Sequence, residues 1–149
     1  MTVPCRIGDS SRFRKTVAES DVYLFAGISG DFAPNHVDEE FMRGAGTGGR
    51  IAHGALLVAY MSAASTKLYE PYWSEEVEEV PVSAGYDRIR FVKPVHIGDT
   101  VTVTYTISSI DEDRGRVLAA IEIHNQHGDL VAVATHVAAF PTRTDLFGG

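Results

Sequence analysis

Cysteine is nearly absent from this chain of 149 residues: Cys5 stands alone, which excludes an internal disulfide framework and a cysteine-based zinc site. A single thiol fits a reducing compartment, so the expected location is cytoplasmic. Long apolar runs are also missing. The longest near-apolar stretch, Gly54 to Ala64, is well short of the roughly 18 residues of a membrane span and reads as a buried helix. The first residues, MTVPCRIGDSSRFRK, carry early acidic and polar side chains in place of the apolar core of a secretory signal, so export is not expected. Positive charge is scarce. With 13 Lys and Arg against 20 Asp and Glu, the formal charge is -7, which argues against a broad electrostatic hold on nucleic acid or an anionic membrane. There is no internal repeat and no low-complexity tract, and the run Glu75, Glu76, Glu78 and Glu79 reads as a solvated face. What is present is a 44% hydrophobic content, enough for one globular domain over residues 1–149 with a core of its own.

The order of elements is helical first and extended later. Arg12 to Val17 reads as a short strand, and Ser20 as the N-cap of a helix from Asp21 to about Ile28 that Gly30 stops. Asp31 to His36 reads as a tight loop, because Pro34 lacks an N–H and disfavours helical geometry at Ala33. Asp38 to Arg43 forms a short helix, followed by a glycine-rich stretch through Gly49. From His53 to Tyr69 the pattern predicts a helix apolar on every face of its first two turns, which other structure must wrap. Four long strands follow, at Val82 to Val92, Thr100 to Ile110, Arg116 to Gln126 and Leu130 to Phe140. Val101, Val103, Tyr105 and Ile107 alternate with Thr102, Thr104 and Thr106, the period of a sheet with one apolar face. Gly98-Asp99, Asp111 to Gly115 and His127-Gly128-Asp129 read as the connectors of antiparallel hairpins. Helices followed by a meander that must curl around one apolar helix is an α+β arrangement, the logic of a hot-dog fold.

Several patterns point to chemistry that the context denies. Gly44 to Gly49 satisfies G-x-G-x-x-G, but it follows a short helix rather than a strand and no acidic residue about 20 positions on completes a dinucleotide-binding unit. It reads as a loop flanking a cleft. Of the six histidines, at positions 36, 53, 96, 124, 127 and 136, only His124 and His127 are a close pair, and they flank a hairpin turn without a third ligand at suggestive spacing. No metal site is expected. His136 alternates with apolar neighbours and reads as a satisfied sheet residue. Asp31 and His36 differ, because a carboxylate and an imidazole sit five residues apart on a loop constrained by Gly30 and Pro34. Such a turn can aim both side chains at one water and divide acid and base roles between them. Asp in turns and His in loops also occur for conformational reasons alone, so the residues leave both readings open. Gly54, at the start of the apolar helix, offers a bare N–H at the positive helix end to an oxyanion, or else marks close packing against a strand.

Ser29 to Asp38 (SGDFAPNHVD), then Ile51-Ala52-His53-Gly54, then Arg90 to Val95 (RFVKPV) with Gly98-Asp99-Thr100, together resemble the MaoC-like, R-specific enoyl-CoA hydratase family over roughly residues 10–140. The resemblance implies a single hot-dog domain that pairs as a homodimer and hydrates trans-2-enoyl-CoA to (R)-3-hydroxyacyl-CoA. It carries the catalytic Asp onto Asp31, the catalytic His onto His36 and the oxyanion donor onto the Gly54 N–H, and it matches a supporting helix serine to Ser62. Relatives usually carry Asn before the loop proline, where this chain has Ala33 and places an Asn at Asn35 instead.

The expected chemistry is syn addition of water to an α,β-unsaturated thioester. It needs no cofactor, since the thioester is the electron sink and CoA is part of the substrate. Arg88, Arg90 and Lys93 form the densest basic cluster for CoA phosphates, with Arg12, Arg14 and Lys15 comparable. The alternatives are a hot-dog acyl-CoA thioesterase and a non-catalytic acyl-CoA-binding homologue. Against the first, no Asp or Glu occurs from Gly54 through Tyr69, where such thioesterases commonly carry a carboxylate. Against the second, Asp31, His36 and Gly54 are all retained.

Overall fold

A computed structural model describes residues 3–74 and 78–147; Glu75 and Glu76 of the acidic run lie outside the described residues. The elements in chain order are β1 (Ser10–Thr16), α1 (Glu19–Ser29), α2 (Pro34–Val37), α3 (Glu39–Met42) and α4 (Gly54–Tyr69), which ends in a 3-10 turn at Glu70–Tyr72. Then come β2 (Val82–Phe91), β3 (Thr100–Asp111), β4 (Arg116–His124), β5 (Leu130–Ala139) and α5 (Arg143–Phe147). The strands form one five-stranded sheet in the order β1-β3-β4-β5-β2, with every neighbouring pair antiparallel. This is the α+β hot-dog arrangement, with α4 laid against the sheet, chiefly β1 and β3.

The alternation read along β3 is the one that builds the core. Val101, Val103, Tyr105 and Ile107 are buried, as are Val117, Ala119, Ile121 and Ile123 on β4, and they meet Leu56, Leu57, Tyr60, Met61 and Ala64 of α4. The helix is covered less completely than its composition suggests. Ala55, Ala59, Ser62 and Thr66 form an exposed stripe, because the curl of one five-stranded sheet covers only part of a helix and the side chains left outside are small.

Three local expectations change. The cap of α1 is Ala18 rather than Ser20, and its N–H donates to Asp21 Oδ2 at 2.8 Å, so the helix starts earlier than Asp21. Pro34 does break the helical path, since Ala33 is extended (ψ 138°), but it also opens the new one-turn helix α2, where a missing N–H costs nothing. Gly98-Asp99 is not a hairpin, because β2 pairs with β5 and β3 with β1 on opposite sides of the sheet. The turn instead grips the end of β1, Gly98 N–H donating to Val17 O and Val17 N–H to Asp99 O, both at 2.8 Å. The crossover through residues 92–99 also passes the approach to α4, where Ala52 N–H donates to Val95 O at 2.7 Å and Ile51 bridges His96. That passage forms one wall of a cleft.

Candidate active site

Gly30 ends α1 in the left-handed region (φ 79°) that favours glycine, and the chain turns back across the start of α4. Asp31 follows at once and is exposed. Its N–H donates to Ser29 Oγ and its Oδ1 accepts the Ala33 N–H, both at 3.2 Å, so the carboxylate is held by its own turn. One turn on, α2 carries His36 into the cleft and buries it. Its Nδ1–H donates to Ile51 O at 2.7 Å, which leaves Nε2 as the basic nitrogen, 3.3 Å from the Asn35 amide nitrogen. Asn35 therefore puts an amide on the imidazole, although the usual Asn position before the proline is Ala33.

His53 lies beneath this pair. It is 1% exposed, its ring stacks on His36 with centroids 3.8 Å apart, and its Nε2–H donates to the Asp31 carbonyl at 2.9 Å. One ligating atom from each of Asp31, His36 and His53 falls within 4.8 Å of the others. The rings stack, which directs their in-plane lone pairs side by side rather than to one point, and the bond of each ring to a carbonyl leaves its other nitrogen as the one open to a ligand or a water.

Gly54 opens α4 at the cleft wall, and its N-cap His53 makes no side-chain capping bond, while the Leu56 N–H turns back to the His53 carbonyl at 3.1 Å. Gly54 packs closely and also lines the cleft. A Cβ there would lie 2.4 Å from Phe91 Cε2, so the close packing is real, while the cleft of about 510 Å³ is lined by His36, Gly54, Leu57, Phe91, Lys93 and Val95. Thr47 of the glycine-rich stretch also lines it, as expected of a flanking loop, and its carbonyl is bonded by His96 Nε2.

Asp31 approaches His36, and His36 shares its cleft with Gly54 and, of the remaining candidates, with Lys93 alone. Ser62 sits two turns further along α4 and lines a separate cavity of about 310 Å³ with Ser65, Tyr69, Ser83 and His136. Of the basic trio only Lys93 lines the cleft, paired with Asp129 at 2.6 Å. Arg88 (φ 55°) falls in the irregular stretch between the Asp87 and Arg90 pairings, and Arg90 donates to its neighbour's carbonyl at Ile89. Sequence reasoning gave no role to Arg50, whose guanidinium ties α1 to α3 through Glu19 and Glu39, both at 2.6 Å, and meets Tyr23 Oη at 3.2 Å. Nor did it give one to His53; the signal that could have found it was a histidine directly before an apolar helix.

His136 is satisfied as expected, inside a buried chain. Tyr69 Oη meets Tyr105 Oη at 3.1 Å, Tyr105 Oη meets His136 Nδ1 at 2.7 Å, and His136 Nε2 meets Ser83 Oγ at 2.9 Å. Burial pushes the imidazole down to about 4 and the Tyr105 phenol up.

Comparison with known proteins gives the chain relatives in sequence and in fold. An (R)-specific enoyl-CoA hydratase of Rhodospirillum rubrum is 40% identical over 106 residues, covering 69% of this chain and 66%, just under two thirds, of that protein. The solved (R)-hydratase of A. caviae, described as involved in PHA biosynthesis, superposes with a TM-score of 0.81 at 26% identity, covering 94% of this chain and 100% of that one. The unliganded R-hydratase PhaJ1 of Pseudomonas aeruginosa gives 0.79 at 29% identity, covering 92% of this chain and 83% of that one. The MaoC like domain family model matches residues 4–126, and the chain belongs to that family.

Proposed function

We propose that this chain hydrates the trans-2-enoyl thioester of CoA to the (R)-3-hydroxyacyl thioester and catalyses the reverse dehydration. Asp31 and His36 Nε2 hold one water; its hydroxide adds to the β-carbon and its proton goes to the α-carbon. The thioester oxygen, which gains negative charge as the enolate forms, faces the Gly54 N–H at the positive end of α4. The thioester accepts the electron pair, so the reaction as written asks for no metal or redox cofactor. Lys93, at the cleft wall, is the cation placed to meet a CoA phosphate. The observation that carries this reading is the Asp31 carboxylate and a ring nitrogen of His36 held within 4.8 Å of each other, with His36 sharing its cleft with the start of α4. The hydratase names of the relatives support it.

Two copies pair in the cytoplasm on the same reading. Strands β1 and β2 leave both sheet edges open, and α4 leaves a stripe uncovered, which a second copy would close. The catalytic test is incubation with crotonyl-CoA and a longer enoyl-CoA, following enoyl absorbance beside free thiol. Loss of absorbance without thiol, giving the (R) product, is expected. Thiol release without hydration would make the chain a thioesterase.

A further inference from the structure

His53 has features that space-filling does not explain. It is 1% exposed, yet its Nδ1 is buried without a hydrogen-bond partner among the described residues. A buried unpaired nitrogen loses its water without a replacement, and a phenylalanine would fill the same place against Phe25 and His36 without that cost. The nitrogen that is used, Nε2, reaches across to the main chain of Asp31, 22 residues earlier. The ring face meanwhile lies on His36, and the next residue is Gly54. One side chain thus touches the segment carrying the carboxylate and the ring carrying the base, and its own backbone leads into the helix start.

We propose that His53 is the positioning residue of this site: its Nε2–H fixes the Asp31 main chain and its ring face fixes the plane of the His36 imidazole. Both water-holding groups are thereby referred to one rigid point at the start of α4. The inference rests on the hydratase reading. Its bonding fixes the proton positions, since an N–H donated from Nε2 requires the Nε2–H tautomer of His53, and the Ile51 carbonyl requires the Nδ1–H tautomer of His36.

Two variants separate the contacts. His53→Phe keeps the stacked face and loses the donor, while His53→Gln keeps an amide donor and loses the face. With each variant folded by circular dichroism, kcat for crotonyl-CoA hydration is expected to fall about 10- to 100-fold, the scale of a misplaced reacting group. KM is expected to stay within about twofold, since no substrate contact is removed. In a His36→Ala background the same changes are expected to add little, because the group being positioned is gone. A His53→Phe enzyme with wild-type kcat overturns the proposal, and so does a full additional loss in the His36→Ala background. Imidazole nitrogen NMR of the wild-type protein tests the assignment even if the variants do not fold: the Nε2–H tautomer of His53 is expected, and the Nδ1–H tautomer overturns the proposal. A wild-type protein that does not hydrate enoyl-CoA overturns the hydratase reading instead, with the tautomer still reporting the hold on Asp31.

Discussion

At Gly54 two demands meet. The Phe91 ring leaves a would-be Cβ only 2.4 Å from its Cε2, and the amide opens a helix whose cap residue has turned its side chain away to Asp31. Phe91 is 53% exposed, so its ring has room to swing aside. Gly54→Ala is therefore expected to fold and to lose only about 1 kcal/mol, the low end of overpacking, while hydration slows because the displaced ring and the new methyl crowd the thioester position. Urea unfolding beside turnover checks this; a loss of several kcal/mol would mean the ring is locked in place. At this scale the sequence displayed the residue types, Asp31, His36 and Gly54, but not their supports. His53 and Asn35 act through contacts made by chain reversal at Gly30 and the turn at Pro34, and no periodicity encodes which nitrogen of an imidazole meets which carbonyl.

Among the elements, β3 was legible from alternation and the buried helix from its apolar run, because both patterns report burial, while the other long strands showed through their Val, Ile, Thr and Tyr content. Partnership was not. Nothing in β2 itself says that it pairs with β5 rather than with β3, the next strand in the chain, and the short polar Gly98-Asp99 turn suits a hairpin or a crossover equally well. The pairing that results puts Ser83 of β2, Tyr105 of β3, His136 of β5 and Tyr69 of α4 into one hydrogen-bonded chain. Its central imidazole titrates at about 4, below the ordinary value of 6.5, because burial penalises the charged form. The unfolded chain then takes up the proton first. The stability held above about pH 6.5 is lost as pH falls toward 4, by about 3 kcal/mol in all, since each tenfold difference in proton affinity between the folded and unfolded chain is worth about 1.4 kcal/mol. His136→Gln keeps a polar side chain and cannot titrate. Between pH 7 and pH 4.5 the urea midpoint is expected to fall further for the wild type than for this variant, and equal falls would count against His136 as the acid-sensitive group.

For the whole molecule, the charge of -7 still excludes a broad hold on polyanions, and a CoA ester must be met locally. Lys93 is the cation the fold sets beside the cleft; Arg88 and Arg90, which looked equivalent in sequence, do not join it there because the strand is irregular between Asp87 and Arg90. On the proposed pairing, a second copy covers the sheet edges and the bare stripe on α4, so light scattering is expected to give twice the 16.2 kDa chain mass, and a monomer at working concentration would contradict the pairing. The central claim is that Asp31 and His36 together deliver water to an enoyl thioester. Its most direct measurement is crotonyl-CoA hydration by the wild type, Asp31→Asn and His36→Ala, all folded by circular dichroism. Rapid hydration by the wild type and a loss of at least about 100-fold in each variant, the scale of a general acid–base contribution, is the result expected; a folded variant that hydrates at the wild-type rate would contradict the account.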